Sequence, residues 1–286
     1  MHERGGRAGG RRADGRIAPF APGPQPGAMS PETLLPLLAI IALASYFQTV
    51  TGFGLGMIVM GATSGFGLAS LASVAAVVSL VTLANSAVAL PGKLHHIDWR
   101  AAGAASIGIL PAIVIGLVLL EYLSASASHL LQLLLGLVIL HGSASFAFRP
   151  VQLARRSSDR GFLASGFFSG LSGGLFGVAG PPLIFQFYRQ PMAPVAVRNT
   201  LLLLFAETAG ARALFLGMEG RLDAEIWTLT AFTVPLVALA TLIGRRYPPL
   251  LPSRAMRRAV FAVLILIGGY LVVESLPALL AAFGVI

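Results

Sequence analysis

The sequence predicts an all-α polytopic membrane protein of two inverted repeats, each a broken, re-entrant helical hairpin followed by three transmembrane helices. Three observations carry that expectation. Of 286 residues, 56% are hydrophobic and 11% charged, and the apolar runs recur at close to the ~20 residues that a bilayer requires of a helix. Sliding the chain on itself by 125 residues lays Gly52 on Gly177, Gly54 on Ala179 and Asp98 on Asp223. The basic residues gather in short clusters between the apolar runs, the pattern of topology determinants.

Composition also narrows the chemistry. The chain has no cysteine, which removes disulfides, thiolate nucleophiles and cysteine-held zinc or iron–sulfur centres. A formal charge of +9 would suit a nucleic-acid partner, but its distribution between helices argues against one. No GxxxxGK[ST] run is present, so no ATPase motif accompanies the spans. No cofactor is expected. The "LHHIDW" run at 94–99 reads as a solvated turn rather than a metal centre.

Residues 1–32 are rich in Arg, Gly and Pro, and too poor in apolar surface to order themselves. Met29, opening "MSPETLLPLLAI", is an alternative start. The first repeat, 33–148, opens with an apolar run at 33–68 interrupted by "QTVTGFGLGM", then gives helices over 70–90, 101–120 and 129–148. Residues 149–160 form a basic linker, expected on the cytoplasmic side. The second repeat, 161–286, opens with a run at 161–188 interrupted by "GLFGVAGPP", followed by helices over 197–217, 226–244 and 259–280.

Charge decides how the interrupted runs travel. If each is a hairpin, one side of the membrane collects thirteen basic residues, from Lys93 to Arg258, against Asp98 and Asp159. If each crossed fully, the basic residues would divide seven against seven once the tail and Arg212 are set aside. The positive-inside rule therefore favours two hairpins, with the basic side cytoplasmic in a cell membrane.

Broken backbone cannot face lipid, because its unpaired N–H and C=O groups find no partner there. It must be enclosed by protein or line a wet cavity. Two breaks facing each other would form an anion-sized pocket from Gln48, Thr49, Thr51, Gly52 and Gly54 on one side and Gly177, Gly180 and Pro181 on the other. A helix restarting at Pro181 or Pro182 would aim its N-terminus at the break, where anions are favoured. The plainer role for any one glycine is close helix packing.

Three polar residues inside the spans join these candidates. Glu207, central in "LLLLFAETAGARALFLG", is a candidate carrier of a coupling proton. Arg212 could bind a sulfonate or carboxylate with its planar fork, or extend to the interface. Asn85 could line the same pocket or join two helices by a hydrogen bond. Arg198, at the start of the Glu207 helix, could help draw in an anion.

A broken Gly-rich segment opening each half, "ID" and "LD" before the third helix of each, and a basic central linker together resemble the sulfite exporter TauE/SafE family over roughly 33–280. The breaks "GVAGPP" and "GFGLGM" depart from that family's usual glycine run. The resemblance implies transport of small anions or organic acids, including sulfite and organosulfonates. The expected function is thus secondary transport of a small anion, proton-coupled through Glu207, by a chain embedded in lipid and able to form a homo-oligomer. An anion channel and a membrane-embedded enzyme are the alternatives.

Overall fold

The computed structural model describes residues 31–65, 70–126, 128–147, 152–247 and 253–282. The expected tail as far as residue 30, with its alternative start at Met29, lies outside them; Pro31 already opens a helix. The described residues form ten α-helices and one 3₁₀ turn, with no strand.

The helices α1 (Pro31–Thr51), α2 (Leu55–Gly65), α3 (Leu71–Ala89), α4 (Trp99–Ser126) and α5 (Ser128–Ala147) make up the first half. The second comprises α6 (Asp159–Phe176), α7 (Pro181–Tyr188), α8 (Pro194–Met218), α9 (Ala224–Arg246) and α10 (Ser253–Ala282). Among the described residues, five helices are long and apolar enough to cross a membrane: α1, α3, α4, α8 and α9. Large apolar side chains such as Leu43, Ile107, Val118, Leu214, Phe232 and Leu266 stand exposed on the helices, as lipid contact requires. The chain is a multi-pass, all-helical membrane protein.

The 125-residue offset recurs in the element boundaries. Thr51 ends α1 and Phe176 ends α6; Trp99 opens α4 and Ala224 opens α9. The residues before those openings both act as caps. Asp98 accepts the Ala101 N–H at 2.9 Å and Asp223 accepts the Ile226 N–H at 2.8 Å. Each thereby satisfies an N–H that the first helical turn leaves without a partner. Helix pairing follows the same scheme, α4 lying along α6 as α9 lies along α1, and α7 meeting α5 as α2 meets α10.

Glycine makes the α4–α6 contact close. A Cβ at Gly166, Gly170 or Gly174 would collide with the backbone of Ala105, Ile109 or Ile113, respectively. The pairing advances in step along both chains, so the two helices run parallel. These glycines serve the packing role that small residues fill in membranes.

After Gly177 the chain turns back. The Phe187 ring meets Phe162 at 5.1 Å between centroids, and Leu183 N–H donates to Ser169 Oγ at 3.2 Å. Residues 159–188 therefore leave one end of the bundle and return to it. That end also holds the start of α4, whose Arg100 bridges to Asp159 at 2.9 Å, and the last turn of α3, where Arg245 donates to the Val88 carbonyl. The Arg100 hydrogen bond and charge, aided by Arg156, hold the Asp159 carboxyl below its ordinary pKa. At the opposite end Arg221 pairs with Glu121 and Glu219.

Candidate functional site: a cavity where two helix breaks meet

The first break comprises Gly52, Phe53 and Gly54, with φ of +88° at Gly52 and +108° at Gly54. Glycine tolerates that left-handed backbone, which L side chains resist. The Gln48 side-chain amide braces the turn: its Oε1 accepts the Leu55 N–H at 3.1 Å and its Nε2 donates to Asn85 Oδ1 at 3.2 Å. Asn85 Nδ2 in turn donates to Thr49 Oγ1 at 2.9 Å and to Thr241 Oγ1 at 2.7 Å. Thr51 Oγ1 donates to the Phe47 and Phe53 carbonyls, and the Thr51 carbonyl accepts the Tyr188 hydroxyl at 2.7 Å. The Phe53 ring stands edge-on to Phe47 and Tyr188, at 5.9 and 5.7 Å.

The second break runs from Gly177 to Gly180. Gly177 closes α6 in the left-handed region at φ +67°. The chain restarts at Pro181 and Pro182, which have no N–H to offer. Leu183 N–H is taken by Ser169 and Ile184 N–H by the Gly180 carbonyl. The anion-attracting helix start expected at Pro181 is therefore not furnished by α7. Pro181 lies against Gly142 instead.

Arg212 takes up the loose end of α6. Its Nη1 donates to the Gly174 carbonyl at 2.6 Å and to the Gly173 carbonyl at 3.1 Å, carbonyls of the last turn, where cations are favoured. The side chain is 1% exposed, and its Nε has no partner.

The breaks touch: a Cβ on Gly56 would lie 3.2 Å from the Gly177 carbonyl oxygen. Between them lies a cavity of about 410 Å³, including its opening. Gln48, Gly54, Gly56 and Met57 line it from the first break, and Gly173, Gly177, Val178, Ala179 and Gly180 from the second. Ser79 and Thr82 of α3 close one wall, and Phe205, Thr208, Ala209 and Arg212 of α8 another. Gly56 and Met57 lie in the first turn of α2, whose N–H groups lack intrahelical acceptors. The cavity thus combines N–H donors, hydroxyls and a guanidinium, and no carboxylate lines it among the described residues.

The family model for sulfite exporter TauE/SafE matches residues 37–271. The chain belongs to that family. A "Probable sulfite/organosulfonate exporter TauE" from Cupriavidus necator is 60% identical over 253 residues, covering 87% of this chain and 99% of the relative. No solved structure matches the chain. As a TauE/SafE member it is a membrane transporter of a small anion, not an enzyme.

Within this TauE/SafE chain, the cavity brings together Gln48, Gly54, Gly177, Gly180 and Arg212 from the residues singled out in the sequence. Thr49, Thr51 and Asn85 lie behind it, in the hydrogen bonds that brace the first break. Gly52 packs on Arg198. Glu207 is half-buried and does not line the cavity; its Oε2 accepts the Ser106 hydroxyl of α4 at 2.5 Å. Ser79, Thr82, Phe205 and Thr208 line the cavity without having been singled out. The signal for two of them was present: Ser79, Thr82 and Asn85 recur at the spacing of one helix face.

Proposed function

We propose that this TauE/SafE protein is a carrier of the cytoplasmic membrane that exports sulfite and organosulfonates, with small carboxylates as secondary substrates. Two inverted repeats, 33–148 and 161–286 joined by a cytoplasmic linker at 149–160, rock about the cavity to expose it alternately. The reading rests above all on Arg212, a buried guanidinium that lines the cavity with no carboxylate in ion-pair range among the described residues. An unpaired cation at membrane depth is costly. A substrate anion supplies the missing charge. The guanidinium fork can meet both oxygens of a carboxylate or two of the three on a tetrahedral sulfonate, and the first-turn N–H groups of α2 favour the same charge. The name of the Cupriavidus relative agrees with this substrate class.

Proton coupling belongs to the same reading. Glu207 lies outside the cavity but precedes Thr208, which lines it; the proton and the anion therefore occupy separate places and communicate through movement of α8 against α4. Flux of radiolabelled sulfite and ethanesulfonate into proteoliposomes tests the site. Loss of one partner of a buried charge pair costs about 2–5 kcal/mol, so Arg212→Gln lowers flux by about 30-fold or more. Arg212→Lys restores part of it. Flux unaffected by Arg212→Gln removes the site, and flux unaffected by Glu207→Gln removes the coupling role.

A further inference from the structure

The end of the bundle that holds the first break carries more positive charge than its acids can match. Arg100 and Arg156 pair with Asp159, and Arg156 also approaches Asp98 at 3.8 Å. Lys93, Arg198 and Arg245 have no carboxylate in ion-pair range among the described residues. They nevertheless meet at one loop: Arg245 donates to the Val88 carbonyl, Lys93 N–H donates to the Leu90 carbonyl two residues further on, and the Asp98 N–H at the loop's far end donates to Thr200 Oγ1, two residues from Arg198. In keeping with that placement, burial, then the charges of Arg198 and Arg245, lower the Lys93 pKa from its ordinary value. Topology alone requires basic residues on this side of a membrane, not that three unmatched ones converge on one loop.

Arg198 is also tied to the path of the substrate. Its stem lies against the first break, with a Cβ at Gly52 falling 2.8 Å from Arg198 Cγ. Its Nε is buried and unpartnered. Arg198, Phe205, Ala209 and Arg212 recur at the spacing of one face of α8. The two arginines are fourteen residues apart, about 21 Å along a regular helix. Phe53, 0% exposed, stands between Gly52, which touches Arg198, and Gly54, which lines the cavity.

We propose that Arg198, with Lys93 and Arg245, forms a second anion subsite, which takes the sulfonate-type head group on the basic side of the Phe47–Phe53–Tyr188 cluster before it reaches Arg212. The order of passage rests on the function proposed above; the subsite itself does not. An anion there neutralises the mutual repulsion of the three cations, and the aromatic cluster keeps the two stations apart until the first break moves.

The chain's lack of cysteine permits a direct test. Leu94, 51% exposed beside Lys93, is replaced by cysteine, and its reaction with sulfonatoethyl and trimethylammonioethyl methanethiosulfonates is compared at fixed ionic strength, each rate normalised to a free thiol. A convergent positive field favours the anionic reagent by about 10-fold. Ethanesulfonate removes that preference in a saturable manner. Arg198→Gln with Arg245→Gln abolishes both the preference and the protection, while Arg198→Lys retains them. A preference that ethanesulfonate does not lower, or one that survives the double substitution, overturns the subsite. Because labelling needs no transport, a failed subsite leaves the Arg212 cavity standing, and a failed Arg212 flux test leaves the subsite standing.

Discussion

The two breaks occupy equivalent places in their halves but are held open by different chemistry. At the first, neutral amides and hydroxyls of Gln48, Asn85, Thr49 and Thr241 take up the side-chain and backbone valences. At the second, two prolines remove N–H groups that would otherwise need partners, and a cation takes up the α6 carbonyls. The difference gives them separate roles. The first half presents N–H donors at the start of α2, whereas the second presents the charge. In the proposed site, an anion between them would be neutralised from one side and oriented from the other.

The largest expected effect comes from removing that charge: Arg212→Gln, with its flux loss of about 30-fold or more. At the first break, Gly52→Ala adds a Cβ at a positive φ and against Arg198, 2.8 Å from its Cγ. Backbone strain of this kind costs about 1–3 kcal/mol. A thermal melt of the purified variant checks it, and an unchanged midpoint would mean that the break relaxes freely. Gln48→Leu leaves Leu55 N–H and Asn85 Oδ1 without their present partners, and an unsatisfied buried group costs about 1–3 kcal/mol. Its signature is a lower melting temperature with substrate affinity changed less than in Arg212→Gln. Equal affinity losses in the two variants would erase the division of labour.

Glu207→Gln sharpens the comparison from outside both breaks. Flux driven by a proton gradient falls, while ethanesulfonate exchange without a gradient persists. The smallest effect concerns Asp159. Its folded pKa is held below the unfolded value by Arg100 and Arg156, so its stabilising contribution is present above the unfolded pKa and lost as pH falls through the folded one. Asp159→Asn therefore flattens the acid limb of the stability profile slightly. Being a solvent-facing pair, it leaves the neutral-pH midpoint almost unchanged.

Much of the architecture was legible in the sequence because apolar length and glycine clustering are local signals. The interruptions at 52–54 and 177–180 coincide with "GFG" and "GVAG", and Asp98 and Asp223 cap the helices that follow them. The division of the glycines was not legible. Gly170 and Gly173 are three residues apart, yet a Cβ on the first would meet the Ile109 backbone of α4 while the second lines the cavity; only the neighbour on each side of α6 separates these roles. Glu207 stood out because a carboxylate in an apolar run is conspicuous, but its rotation toward Ser106 depends on how α8 sits against α4. Thr208 is a common residue in such helices, and tertiary placement alone brings it to the cavity.

In the proposed site an anion occupies the space between Arg212 and the first turn of α2. A density map of the protein with ethanesulfonate, in nanodiscs, addresses it most directly. A sulfonate is expected within hydrogen-bond reach of the Arg212 guanidinium and of the Gly56 or Met57 N–H. A saturating ligand bound elsewhere, with Arg212 still holding only the Gly173 and Gly174 carbonyls, would contradict it.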